Sequence, residues 1–127
     1  MKNIVVKMEY EIPYTDIVDF ITCALEGGSN YWYYLPDLSM LSKHIESGDQ
    51  PYLVDRIVKA VLVGGESVPV YDIEDPENKL GDISQESIQR GFQLYAEAGN
   101  PLDPGDADAD NADILFQLIV MGEVTFG

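Results

Sequence analysis

The chain reads as an α+β domain: a small, mostly antiparallel sheet of three to four strands covered by about four helices. Three observations predict this. Several segments place apolar residues at the 3.6-residue period of a helix with one buried face. Others are short runs rich in β-branched and aromatic residues, bounded by Gly or Pro. Strands and helices follow one another as β-α-β-(α)-α-β-α-α-β, without the clean alternation that builds a doubly wound parallel sheet.

Residues 3–12 (NIVVKMEYEI) alternate Val6, Met8, Tyr10 and Ile12 with Lys7, Glu9 and Glu11, which predicts a strand ended by Pro13. A helix over 16–26 follows, because Ile17, Phe20, Ile21, Ala24 and Leu25 fall on one stripe and Gly27-Gly28 stops it. Tyr31 to Leu35 predicts a short strand closed by Pro36, and residues 38–46 read equally as a helical turn or as irregular chain. Residues 52–63 predict a helix that turns Leu53, Ile57, Ala60 and Val61 inward. Residues 67–73 predict a strand in which Pro69, lacking an N–H, belongs at an edge or bulge. The stretch EDPENKLGD reads as a turn; Ser84 then caps a helix over 85–98 with Ile88, Phe92 and Tyr95 on one face. After a polar loop at 102–108, residues 110–121 form the last helix, burying Ile114, Leu115, Leu118 and Ile119, and Val124 to Phe126 predict a closing strand. No internal repeat or low-complexity linker divides the chain, so residues 1–127 read as a single domain.

Charge is the outlying property. There are 23 acidic and 7 basic residues among 127, a net charge of −16. That argues against direct nucleic-acid binding, which needs Lys and Arg to displace phosphate counterions, and against anionic membranes. The first apolar run, Ile4 to Val6, is too short for a signal-peptide core, and no stretch approaches the ~20 apolar residues of a membrane span. The single cysteine, Cys23, excludes an internal disulfide and points to a reducing compartment, so a cytoplasmic location is expected. The acidity lies mainly in the second half: Asp72, Glu74, Asp75, Glu77, Asp82 and Glu86, then Glu97, Asp103, Asp106, Asp108, Asp110, Asp113 and Glu123, with no basic residue after Arg90. Such a surface either keeps the protein in solution or attracts a basic partner.

Four features bear on chemistry. Asp106, Asp108 and Asp110 copy the alternate ligands that open an EF-hand loop, but Asn111 replaces its glycine and Gln117 its bidentate glutamate, so no metal site is expected and the carboxylates serve the following helix N-terminus. In a strand, Trp32 and Tyr34 would share one face and Tyr31 and Tyr33 the other, with one pair in the core and the other free to anchor a partner. Cys23 and His44 could form a catalytic pair only within hydrogen-bond reach; Cys23, placed mid-helix, reads instead as a small hydrophobe and His44 as a solvated side chain. Finally, Glu26, Asn30, Trp32 and Asp72 could gather around a pocket near the first glycine turn. No P-loop, dinucleotide fingerprint or nucleophile elbow is present, so no cofactor is expected.

Two stretches, ALEGGSNYWYY at 24–34 and ADILFQLIVMGEVTFG at 112–127, together with VYDIED at 70–75, resemble small acidic proteins of phages, prophages and gut-bacterial mobile elements. That family carries no catalytic residues to transfer; the resemblance implies a phage-type accessory role. Combined with the charge, the expectation is a non-enzymatic protein that binds a partner with a basic surface, as a nucleic-acid mimic or counter-defence inhibitor. Trp32, Tyr33, Asp103, Asp106, Asp108 and Asp110 are the interface candidates. The competing expectations are a small-molecule binder or enzyme using Glu26, Asn30, Trp32 and Asp72, and a self-associating assembly protein, which leaves a homo-oligomer open.

Overall fold

The structure, a computed structural model, describes residues 2–4, 9–44 and 52–127. Helix α1 (Tyr14–Cys23) starts directly after Pro13, whose extended backbone suits the residue before a helix, and it buries Ile17, Phe20 and Ile21. The α-helix does not run on to 26 as predicted. It widens into a π turn, Ala24–Gly28, closed by the Ser29 amide donating to the Ala24 carbonyl at 2.7 Å. Strand β1 (Tyr33–Tyr34) and a 3-10 turn (Ser39–His44) lead to α2 (Leu53–Leu62). Strands β2 (Val68–Asp72) and β3 (Lys79–Ile83) form a hairpin, and α3 (Gln85–Glu97) and α4 (Ala109–Met121) complete the chain.

The α+β expectation holds. The sheet is three-stranded and antiparallel in the order β1-β2-β3, pairing Tyr33 with Asp72 and Val68 with Ile83. Val68, Val70 and Ile83 point into the core with no exposed surface. Pro69 sits in the middle strand, yet β1 reaches only Tyr71 and Asp72, so at Pro69 the strand has a neighbour on one side alone, beside an irregularity at Val70/Tyr71. The stretch read as a turn at 74–82 conceals β3: KLGDI has a glycine and two charges where a strand is usually β-branched. The predicted strand 3–12 falls partly on residues 5–8, outside the described residues; residues 2–4 and 9–13 carry no strand, and all but Ile12 are exposed. Val124 to Phe126 form no strand either, for a reason given below.

The helices carry the core. Phe20 of α1 meets Phe92 and Tyr95 of α3 edge-on, both at 5.7 Å between ring centres. Two glycines admit close neighbours of α4. A Cβ on Gly91 would lie 2.7 Å from the Ile119 backbone, and one on Gly81 would collide with the Val120 carbonyl. Of the residues predicted buried, Ile17, Phe20, Ile21, Leu25, Ile57, Ala60, Val61, Ile88, Phe92, Leu115, Leu118 and Ile119 are so, while Ile114 is half-buried and Leu53, placed on the inward face of α2, is exposed, Val54 being buried instead. Ser84 caps α3 as predicted, in a capping box with Ser87, and Asp108 and Asn111 form one on α4, while α1 and α2 start without a side-chain cap. Among the described residues, no helix is long and apolar enough to cross a membrane.

Candidate functional site

The π turn redirects the chain so that residues 29–32 run beneath α4, and the side chain of Asp113 receives them. Its Oδ1 accepts from the Ser29 hydroxyl at 2.7 Å and the Trp32 indole Nε1–H at 2.8 Å. Its Oδ2 accepts from the Tyr31 hydroxyl at 2.6 Å and the Gln117 amide at 3.2 Å. Four neutral donors therefore converge on one half-buried carboxylate. Three of them, Ser29, Trp32 and Gln117, belong to residues with at most 1 % of their surface exposed.

One turn along α4, Gln117 does a second piece of work. Its carbonyl oxygen accepts from the backbone amides of Thr125 and Phe126, each at 2.8 Å, and its amide nitrogen returns a bond to the Phe126 carbonyl at 3.2 Å. The side chain thus does for residues 125–126 what a neighbouring strand would do, which is why this segment is ordered without being part of the sheet. Phe126 is thereby held against Trp32, stacked at 5.4 Å between ring centres, while Phe116 lies 5.3 Å from the indole.

The aromatic segment consequently splits differently from the strand expectation. Tyr31 and Trp32 lie in a turn, and only Tyr33 and Tyr34 are in β1, so the two-residue alternation does not extend back to Tyr31. Trp32 is in the core and Tyr33 is half-buried, its hydroxyl donating to the Leu25 carbonyl at 2.7 Å. Trp32 therefore has no surface to offer a partner, which corrects its placement as an interface anchor. Tyr31 and Tyr34, 46 % and 42 % exposed, are the accessible members of the group. Burial, then the hydrogen bond to Asp113, push the Tyr31 phenol up to about 12. Tyr33 is raised by burial and then by the charge of Glu26.

Around this hub lies a cleft of about 500 Å³, lined by Tyr31, Asp110, Asp113, Ile114, Val124 and Phe126 among others. Val124 is 53 % exposed at its rim. A second cleft, about 570 Å³, runs along α3 and is lined by Gln85, Gln89, Gln93, Ile88, Phe92 and Leu62 among others, with no acidic or basic side chain among the described residues. A third, of about 430 Å³, is lined by Arg90, Asp82 and Glu86 among others.

The other sequence candidates lie apart. Asp103 accepts from the Gly105 amide at 2.9 Å in a loop turn, Asp106 is exposed, Asp108 caps α4, and Asp110 is exposed in its first turn. Glu26 and Asn30 are exposed, Trp32 is in the core, and Asp72 accepts from the Glu74 amide at 2.9 Å. None of the three clefts is lined by Glu26, Asn30 or Asp72. Cys23 is exposed at the end of α1 rather than packed, and His44, half-buried rather than solvated, pairs with Glu66 at 3.0 Å. Among the described residues no three His, Cys, Asp or Glu side chains are grouped to hold a metal ion. The sequence reading passed over Asp113 and Gln117 as functional positions. The available signal was a glutamine inside LFQLIV, a polar group in a run with no exposed face, which must find partners when buried.

The two stretches on which the sequence resemblance rests, 24–34 and 112–127, are thus the two halves of one hydrogen-bonded and aromatic assembly. No family model, no curated protein and no solved structure matches the chain.

Proposed function

We propose that the protein is a phage-type accessory protein that works by occupying a basic surface on another protein in the cytoplasm, as an acidic nucleic-acid mimic or counter-defence inhibitor. The observation that supports this most is how the second half of the chain uses its few cations. Residues 67–127 contain thirteen acids against Lys79 and Arg90. Lys79 is paired with Asp82 at 3.1 Å. Arg90 donates to the Ile119 carbonyl at 2.7 Å, where its charge complements the negative end of α4. Both cations serve local contacts, while Glu74, Asp75, Glu77, Glu86, Glu97, Asp103, Asp106, Asp108, Asp110 and Glu123 are exposed. The field of this half is therefore left largely uncancelled and available for long-range attraction.

Steering by such a field raises association rates and makes them salt-dependent. Replacing Asp103, Asp106, Asp108 and Asp110 by asparagine keeps the helix cap and removes four charges. Surface-plasmon association with an immobilised basic nucleic-acid-binding protein should slow and lose much of its salt dependence, with dissociation little changed. Unaltered association kinetics across a salt series would reject the reading.

A second reading, a small-molecule binder, draws support from the cleft along α3, lined by glutamines and apolar side chains, whose volume of about 570 Å³ falls in the size range of ligand sites. It does not draw on Glu26, Asn30 and Asp72.

A further inference from the structure

We propose that the cleft beside the Asp113 hub receives one arginine side chain of the partner. This rests on the basic-partner reading and gives it a point of attachment. The cleft combines what a guanidinium selects: an exposed aromatic ring at Tyr31, aliphatic walls at Ile114 and Val124, and a free carboxylate at Asp110.

Asp110 and Asp113 have different tasks. The Asp113 oxygens are each occupied by two neutral donors, so its hydrogen-bonding capacity is spent, but no cation among the described residues bonds to it and its charge still acts on the cleft. Asp110 stands three residues earlier on the same helix and is exposed; that spacing places the two on one face of α4. A cation entering the cleft would meet one carboxylate able to accept its N–H groups and a second, fixed negative charge behind the Tyr31 hydroxyl. Tyr31 itself stays neutral through physiological pH, so its ring is available for stacking without adding a charge.

Arginine fits better than lysine. Its planar group stacks on a ring and reaches a carboxylate with two parallel N–H donors, whereas an ammonium keeps its water more tightly. The dipole at the start of α4 offsets part of the negative field, which makes stacking and the apolar walls necessary to the selection.

The test uses the whole protein and three capped pentapeptides that differ only at the centre, with arginine, lysine or citrulline between glycines. Trp32 is the only tryptophan and its indole N–H is bonded to Asp113, so its NMR resonance reports on the back of the cleft. The arginine peptide should shift the Trp32 indole and Tyr31 ring signals saturably. Citrulline, of the same shape without charge, should not, and lysine should bind more weakly. Asp110→Asn should weaken the arginine peptide about three- to fivefold, the scale of an exposed ion pair. Tyr31→Phe, which keeps the ring, should retain more binding than Tyr31→Ala. The control is Glu74→Gln with Glu77→Gln, which lowers the net charge by more than Asp110→Asn does and on the β2–β3 turn instead. If that pair weakens binding as much as Asp110→Asn, the cleft is not the site, although attraction to the acidic face would survive. If arginine and citrulline behave alike, or neither moves the Trp32 signal, the arginine site is refuted.

Discussion

Replacing Asp113 by alanine removes the acceptor of four hydrogen bonds at once, and the four donors do not suffer equally. Tyr31 is exposed and its hydroxyl can turn to water, and Gln117 keeps its bond to the Phe126 carbonyl at 3.2 Å. The Ser29 hydroxyl, in a residue with no exposed surface, cannot turn to water. Nor can the Trp32 indole N–H, which is fixed between Phe116 and Phe126 in a residue 1 % exposed. A buried donor left without a partner costs about 1–3 kcal/mol, and bonds to a charged acceptor are each worth about 1.5–3 kcal/mol. With two of the four donors partly rescued, Asp113→Ala should cost about 3–5 kcal/mol. Asp113→Asn keeps an oxygen for Ser29 and Trp32 but turns an NH2 group toward Gln117, and should cost about 1–2 kcal/mol. Asp110→Ala, exposed and outside the hub, should fall within about 0.5 kcal/mol of the parent. Urea denaturation followed by Trp32 emission measures all three. A loss below about 1 kcal/mol for Asp113→Ala, or equal losses for alanine and asparagine, would show that the hub does not hold the fold as its geometry indicates.

Gly91→Ala tests the contact between α3 and α4. Alanine gains about 1 kcal/mol of helix propensity over glycine in an exposed helix, but here its Cβ would fall 2.7 Å from the Ile119 backbone, so thermal melting should show a net loss; a stabilised variant would mean the helices part easily. Alkaline pH tests two phenols with raised pKa. Tyr31 and Tyr95 are both pushed up to about 12, mainly by burial, with Asp113 adding to the first and Asp108 to the second. Their folded values lie above the unfolded one near 10, so their contribution is fully present below about pH 10 and is lost as pH rises toward about 12. Urea midpoints taken between pH 9 and 11.5 should fall with rising pH, and Tyr31→Phe should flatten part of the decline; an unchanged slope would disprove the Tyr31 share.

Most of the helical half of this fold was legible from spacing and caps. Ser84 marked the start of α3, and Gly122, with φ near 77°, marked the end of α4; Asp108, which caps α4, stood out only as one of the carboxylates beside that helix's N-terminus. The sheet was less legible, because its strands are specified by packing more than by residue type. β3 reads as a turn in isolation and becomes a strand because Gly81 lets it approach α4. The predicted closing strand failed for a related reason: a glutamine side chain satisfies the backbone of Thr125 and Phe126, and single-segment periodicity cannot register a partner at a distance. The charge bias was plain in composition, whereas the burial of Trp32 depended on the π turn, a local widening that no residue pattern in ALEGG announces.

The Asp113 hub also sets a schedule for folding on the ribosome. Its bonds to Ser29 and Trp32 join residues 84 and 81 positions apart, and the indole is covered by Phe126, which follows α4. While residues 14–97 emerge, α1, α2 and the β2–β3 hairpin can form only provisionally, with the indole N–H waiting for its acceptor. Contacts of such long range slow folding because the loop must close before they repay it. The nascent chain should therefore stay open to chaperones and proteases until α4 has left the exit tunnel, and then close in one cooperative step. A domain so arranged acquires its final surface only when α4 and Phe126 have joined it.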